Sequence, residues 1–268
     1  MHNNVCVQKR KGELAERERA EMERMQQELE DARQIQQSLL PEGPPQIAGF
    51  EIANTYLPAK EVSGDFHDYL SLGQNLGIVL ADVTGKSVKA AIVAAMTNGM
   101  LHSEVKERAD MWTSPGGTLA ELNTGLCPRL MRSMFTAMSL SILQPGENCL
   151  IFSNAGMSYP IVKRGDQVWE LEVSGLPLGL TGTAEYQDVS LDLEEGDFVI
   201  FYSDGVTEAA NEVGEMYHTE RLLGLIQHAD PGLSAQDMVD LIVRDVTEFI
   251  GSEEASDDIT IVVLRCEG

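Results

Sequence analysis

The chain has 268 residues with 43 acidic and 19 basic side chains, a formal charge of −24; the length allows a full core, and the charge argues against nucleic acid, which is bound by clustered Lys and Arg. Four scattered cysteines, Cys6, Cys127, Cys149 and Cys266, form no CxxC pair, which argues against a disulfide framework or a thiolate metal site. No apolar run approaches the ~20 residues of a membrane span and the start lacks the apolar core of a signal peptide, so we expect a soluble cytoplasmic protein with no membrane insertion.

In chain order, residues 8–40 come first. They hold no proline, one glycine (Gly12), and much Glu, Arg, Gln, Leu and Met, a composition that predicts a helix. Ala15, Met22, Met25, Leu29, Ala32 and Leu39 fit the a and d positions of one heptad frame, which Glu18 and Gln36 interrupt. A broken seam of this kind fits a marginal, coiled-coil-like helix, read either as a regulatory linker that pairs two chains into a homodimer or as a solvated helix. The second division, 41–268, opens at Pro41-Glu-Gly-Pro-Pro and changes to short β-like runs. Strands are predicted at Phe50–Ala59, Gly64–Leu72 and Leu76–Val83, followed by helices at Lys86–Val105 and Thr118–Arg132. Further strands are predicted at Phe135–Leu143, Cys149–Asn154, Ile161–Lys163, Val168–Val173, Tyr186–Leu191 and Phe198–Tyr202. Helices at Glu220–His228 and Ser234–Ile250 precede a last strand, Ile259–Arg265. Strands mixed with paired helices, without strict βαβ alternation, predict an α+β fold of two packed antiparallel sheets covered by helices.

Four aspartates sit where apolar runs meet turns: Asp65 in Ser-Gly-Asp-Phe, Asp82 in Ala-Asp-Val-Thr-Gly, Asp204 in Ser-Asp-Gly-Val and Asp257 in Asp-Asp-Ile-Thr. Carboxylates gathered at one mouth suit a hard divalent cation, and clustered without one they would repel each other. Any one of them, taken alone, also reads as a turn cap. Gly64, Gly85 and Gly205 flank them, either to let backbone approach closely or as ordinary turn residues. Lys60, Lys86 and Lys89 stand nearby, either as exposed lysines or as cations for a substrate phosphate. Gly85-Lys86-Ser87 mimics a phosphate-binding loop, but that motif needs a glycine where Leu80 stands.

Taken in order, Ala32-x-x-Ile35-Gln36-x-x-Leu39-Leu40-Pro41, Ser63-Gly64-Asp65-Phe66, Asp82-Val83-Thr84-Gly85-Lys86, Asn154-Ala155-Gly156, Pro177-Leu178-Gly179, Tyr202-Ser203-Asp204-Gly205-Val206-Thr207-Glu208 and Asp257-Asp258-Ile259-Thr260 resemble the SpoIIE/RsbU-type branch of the PPM (PP2C-like) serine/threonine phosphatases. The resemblance implies an α-β-β-α sandwich and a site of two Mn²⁺ or Mg²⁺ ions whose activated water hydrolyses phosphoserine or phosphothreonine on a protein, with no phosphoenzyme. It implies Asp82 as the bridging ligand, aided by the Val83 carbonyl, with Asp65 on one ion and Asp204 and Asp257 on the other. Asp258 beside Asp257, and Asp68 as the holder of a bound water, stay open. The implied substrate is a phosphorylated STAS-domain anti-anti-sigma protein in a partner-switching pathway. A non-catalytic phosphoprotein-binding scaffold is the alternative, and its cheapest signature, a missing aspartate ligand, is not present. Three departures bear on substrate preference: His67 where the family has an aromatic, Met157 where Asn-Ala-Gly is followed by histidine on a pocket-side turn, and Thr84 with Ser87 in the second motif.

Overall fold

The computed structural model describes residues 2–108, 114–253 and 255–267. The chain divides into two compact units, 1–39 and 40–268.

The first unit is α1 (His2–Gln37), one helix that begins before the predicted start and ends earlier. Its last turn is closed by the Ser38 hydroxyl donating to the Ile35 carbonyl. Arg17–Glu21 and Arg19–Glu23 pair one turn apart on its surface. Of the predicted seam, Met22 and Met25 are 67% and 63% exposed, while Leu29 and Ala32 are half-buried. The side chains of Cys6 and Ala15 lie outside the described residues.

The second unit stacks four layers. One sheet has the order β1 (Phe50–Leu57), β10 (Ile259–Cys266), β9 (Phe198–Tyr202), β6 (Ile161–Arg164), β7 (Gln167–Glu170). The other runs β2 (Phe66–Leu72), β3 (Asn75–Val83), β4 (Thr136–Gln144), β5 (Cys149–Ala155), β8 (Val189–Asp192). Every pairing is antiparallel. Side chains alternate along a strand, and in each sheet both faces are apolar. On β10, Ile261 and Val263 pack outward under α5 (Thr219–Gln227) and α6 (Ala235–Ile250), whereas Val262 and Leu264 pack inward. On β3, Val79, Ala81 and Val83 pack outward under α2 (Val88–Arg108) and α3 (Pro115–Leu126), and Ile78 and Leu80 inward. The result is the expected α-β-β-α sandwich.

Two predicted boundaries moved for identifiable reasons. The second helix, expected at Thr118–Arg132, is α3: Ser114 caps it by accepting from the Gly117 amide, with Pro115 at its first position. It stops at Leu126, since Pro128 has no amide with which to continue it. The strand expected at Tyr186–Leu191 starts only at Val189, because the Asp188 carboxylate accepts from the Ser114 hydroxyl (2.6 Å) and the Gly116 amide (2.6 Å) and so holds its segment at the head of α3. The strand expected at Val168–Val173 ends at Glu170. A one-turn helix absent from the sequence reading, α4 (Asp204–Thr207), follows β9.

Candidate active site

The register brings the predicted aspartates to one end of the sandwich. Leu57 pairs with Ile259, Tyr202 with Ile261, and Phe66 with Ala81. The end of β1, the start of β10 and the end of β9 therefore share an edge of one sheet, and the start of β2 and end of β3 form the corresponding edge of the other. Alternation then selects the faces. Asp82 follows the inward parity of Ile78 and Leu80, and Thr260 that of Val262 and Leu264, so both look into the layer between the sheets at its rim.

Asp65, buried just before β2, is tied across the sandwich: the Thr260 hydroxyl donates to its Oδ2 at 2.7 Å, and its own amide donates to the Ser63 hydroxyl at 2.9 Å. Burial, then the charge of Asp82, hold the Asp65 carboxyl well above the ordinary carboxylate range. Asp82 is also raised, first by burial and further by Asp257 and Asp258, while a hydrogen bond from Asp65 and the charge of Lys86 pull it back. The two carboxyls crowd one another, and two bare negative charges are disfavoured there. Asp204 opens α4, and its carboxyl is pushed up to about 6 by burial, then Asp82, Asp257 and Glu208. Asp257 accepts from the Asp258 amide on Oδ1 (2.9 Å) and meets the Lys86 ammonium on Oδ2 (2.6 Å).

The neighbours left open by the sequence take definite places. Asp258 is buried and works as a tie: Oδ1 accepts the Ala59 amide (2.7 Å) and Oδ2 the Ser63 hydroxyl (2.5 Å). Asp68 has the outward parity of Phe66 and Leu70, the parity opposite to that of Asp65. It is buried against α2, where Asn98 donates to it at 3.0 Å and His102 lies at 2.7 Å. It is therefore neither a solvated carboxylate nor directed into the aspartate cluster. His67 is buried between the Tyr56 and Tyr69 rings, and burial lowers its pKa to about 4, so it serves as a neutral aromatic filler. Met157 is buried in the core between the sheets, and the turn before it is closed by Asn154, which donates to the Met157 carbonyl and accepts from its amide, both at 2.9 Å. That position is a core position rather than a pocket-side one. Lys60 and Lys89 are exposed.

Two members were missed as working residues although their motifs were quoted: Thr260 and Ser63, which hold Asp65 in place. The signal was available in the parity of Thr260 two residues before inward-facing Val262.

The donor set fits a hard divalent cation, since every side chain in the cluster offers carboxylate oxygen. The backbone fits as well. A Cβ on Gly64 would lie 2.5 Å from the Val83 carbonyl oxygen and 3.2 Å from Asp82 Oδ1, so only glycine leaves both open. A Cβ on Gly205 would meet the Asp258 carbonyl at 2.0 Å, which makes glycine the residue that lets α4 close on the lead into β10. Among the described residues no three Asp, Glu, His or Cys side chains converge tightly enough to enclose one ion in this arrangement.

The sequence profile of the family described as Stage II sporulation protein E (SpoIIE) matches residues 73–267. Among curated proteins the chain is similar to phosphoserine phosphatase RsbU of Bacillus subtilis (strain 168), 28% identical over 240 residues covering 89% of this chain and 70% of RsbU. It is 27% identical to stage II sporulation protein E of the same organism over 77% of this chain, a match that spans only 24% of that longer protein. Among solved structures it is similar to the SiaA-PP2C domain of Pseudomonas aeruginosa, with a TM-score of 0.79 at 20% identity over 91% of this chain and 98% of that one. PP2C-family phosphatases use divalent metals. With the profile covering most of the chain and the same layered fold in the structural relatives, the chain belongs to the SpoIIE family of PP2C-type serine/threonine phosphatases.

Proposed function

We propose that this phosphatase removes phosphate from phosphoserine or phosphothreonine on a partner protein in the cytoplasm, the substrate being a phosphorylated STAS-domain protein of a partner-switching pathway. Asp82 with the Val83 carbonyl, Asp65, Asp204 and Asp257 hold two Mg²⁺ or Mn²⁺ ions. When bound, such ions supply the positive charge that lets a nucleophile approach a phosphomonoester dianion, together with an activated water. The rest falls to the chain. Thr260 and Ser63 fix the position of Asp65, Asp258 locks the Ala59–Ser63 segment beside it, and Gly64 keeps the Val83 carbonyl accessible.

The observation that carries this reading is the close pair of carboxyls, buried Asp65 and half-buried Asp82, each acting on the other and both in the field of Asp258. Such a pair is costly in a merely structural role and is relieved by a cation. The test is phosphate release from a phosphorylated STAS-domain protein with Mg²⁺ or Mn²⁺ and with chelator. Activity should require the metal, and Asp82→Asn and Asp204→Asn should each lose more than the roughly 10–100-fold typical of outer-sphere partners while keeping the fold. Full activity in Asp82→Asn would end the proposal.

A further inference from the structure

Lys86 reaches across the mouth of the site. It follows the left-handed turn at Gly85 (φ 97°), just past β3, and its ammonium lies 2.6 Å from Asp257 Oδ2 and 2.5 Å from the Ser256 carbonyl, both on the segment leading into β10 of the opposite sheet. Expected to be exposed or to bind a substrate phosphate, this lysine is exposed and also engaged with a carboxylate of the aspartate cluster. Asp257 has its other oxygen on the Asp258 amide, so both oxygens already have a donor. The Lys86 ammonium thus has two oxygen partners on this segment.

We propose that Lys86 is a resident counter-ion that competes with a divalent cation for the Asp257 carboxylate, so that metal loading at this end of the site opens the Lys86–Asp257 pair. The inference rests on the metal-site reading above and concerns a residue that acts through Asp257. Its physical basis is a comparison of strengths. The Lys86 and Asp257 side chains are 40% and 24% exposed, so the pair is partly solvated and is worth at most about 1 kcal/mol. A dication facing several carboxylates gains far more, and the long lysine chain can swing its ammonium into water. Lys86 therefore lowers the affinity for metal without preventing its uptake. In the absence of metal it places one positive charge against the aspartate cluster.

Two measurements on the full chain test this, and neither uses turnover. Isothermal titration with Mn²⁺ should show Lys86→Gln binding up to about fivefold more tightly than the wild type, the factor that corresponds to such a pair. Lys89→Gln, which removes a nearby charge that does not hold Asp257, should stay within twofold of the wild type. On the wild type itself, labelling with acetic anhydride read by mass spectrometry should show Lys86 becoming more reactive on saturation with Mg²⁺ as its ammonium is released. Equal constants for Lys86→Gln and wild type, equal tightening in Lys89→Gln, or Lys86 labelling that stays flat or falls with Mg²⁺ would overturn the inference while leaving the metal site standing. Absence of metal uptake by the wild type would overturn the metal-site reading and this inference together.

Discussion

At the residue scale, the site depends on small distances and on charge. Gly64 has no room for a side chain, its would-be Cβ falling 2.5 Å from the Val83 carbonyl. Gly64→Ala must therefore push β3 and the Ser63–Asp65 turn apart. We expect a loss of about 1–3 kcal/mol, as for other overpacked positions, and weaker Mn²⁺ binding by calorimetry. An unchanged melting curve together with an unchanged binding constant would show that the turn adjusts freely. Charge gives a second prediction at Asp204, whose carboxyl is pushed up to about 6 in the fold, by burial first and then by its acidic neighbours. In the unfolded chain it ionises near 3.9. Its contribution to stability is thus complete below about pH 4 and is lost as pH rises through about 6. For the metal-free protein in chelator, stability should fall over that window by roughly 1–2 kcal/mol once screening of this partly exposed group is allowed for. Asp204→Asn should remove that part of the slope, and a wild-type profile in the variant would assign the pH dependence elsewhere.

At the scale of elements, the helices are anchored by caps and cross-sheet ties rather than by propensity. α6 starts with a capping box: the Ser234 hydroxyl accepts the Asp237 amide, and the Asp237 carboxylate accepts the Ser234 amide. The amide of Ala235 is taken by Glu51 of β1, which fixes the helix to the sheet it covers. Ser234→Ala should cost about 1 kcal/mol, equivalent to about 2–4 °C in thermal melting for a domain of this size, with no change in phosphatase turnover because α6 lies on the outer face. A change in turnover larger than the change in stability would show that α6 communicates with the mouth. On the other side of the sandwich, Asn123 donates to the Thr181 carbonyl and accepts the Gly179 amide, both at 2.8 Å, so α3 holds the Pro177–Thr181 segment by one amide side chain. Leu178 completes the tie by exchanging both backbone hydrogen bonds with Thr136.

At the scale of the whole molecule, α1 carries exposed apolar side chains. Its methionines at the predicted seam are more than 60% exposed in the single chain, and such a stripe on a 36-residue helix is what a second helix would cover. We propose that α1 pairs two chains. Light scattering should then give a dimer, and Met25→Glu with Leu29→Glu should yield a monomer whose turnover of a protein substrate changes by more than its thermal stability does. If the intact chain is a monomer at high micromolar concentration and removal of residues 1–30 leaves the kinetics unchanged, α1 is a tether.

The sequence by itself determined most of the elements and the acidic character of the candidate site. Short apolar runs bounded by turns can be read as strands because a sheet buried on both faces needs apolar side chains at nearly every position, and short motifs mark the aspartates because each stands where such a run meets a turn. Local sequence did not carry the partnerships. Whether Asp257 or Asp258 is the structural tie depended on Ser63, which lies 195 residues from Asp258 in the chain and reaches it only when the two sheets pack. The placement of Asp68 against α2, the shortened strand at Val189 and the engagement of Lys86 with Asp257 have the same origin: each is decided by a group on another element. A carboxylate has the same intrinsic chemistry in every turn, and only the packed structure supplies the donors, the burial and the neighbouring charge that make one of them a tie and another a candidate ligand.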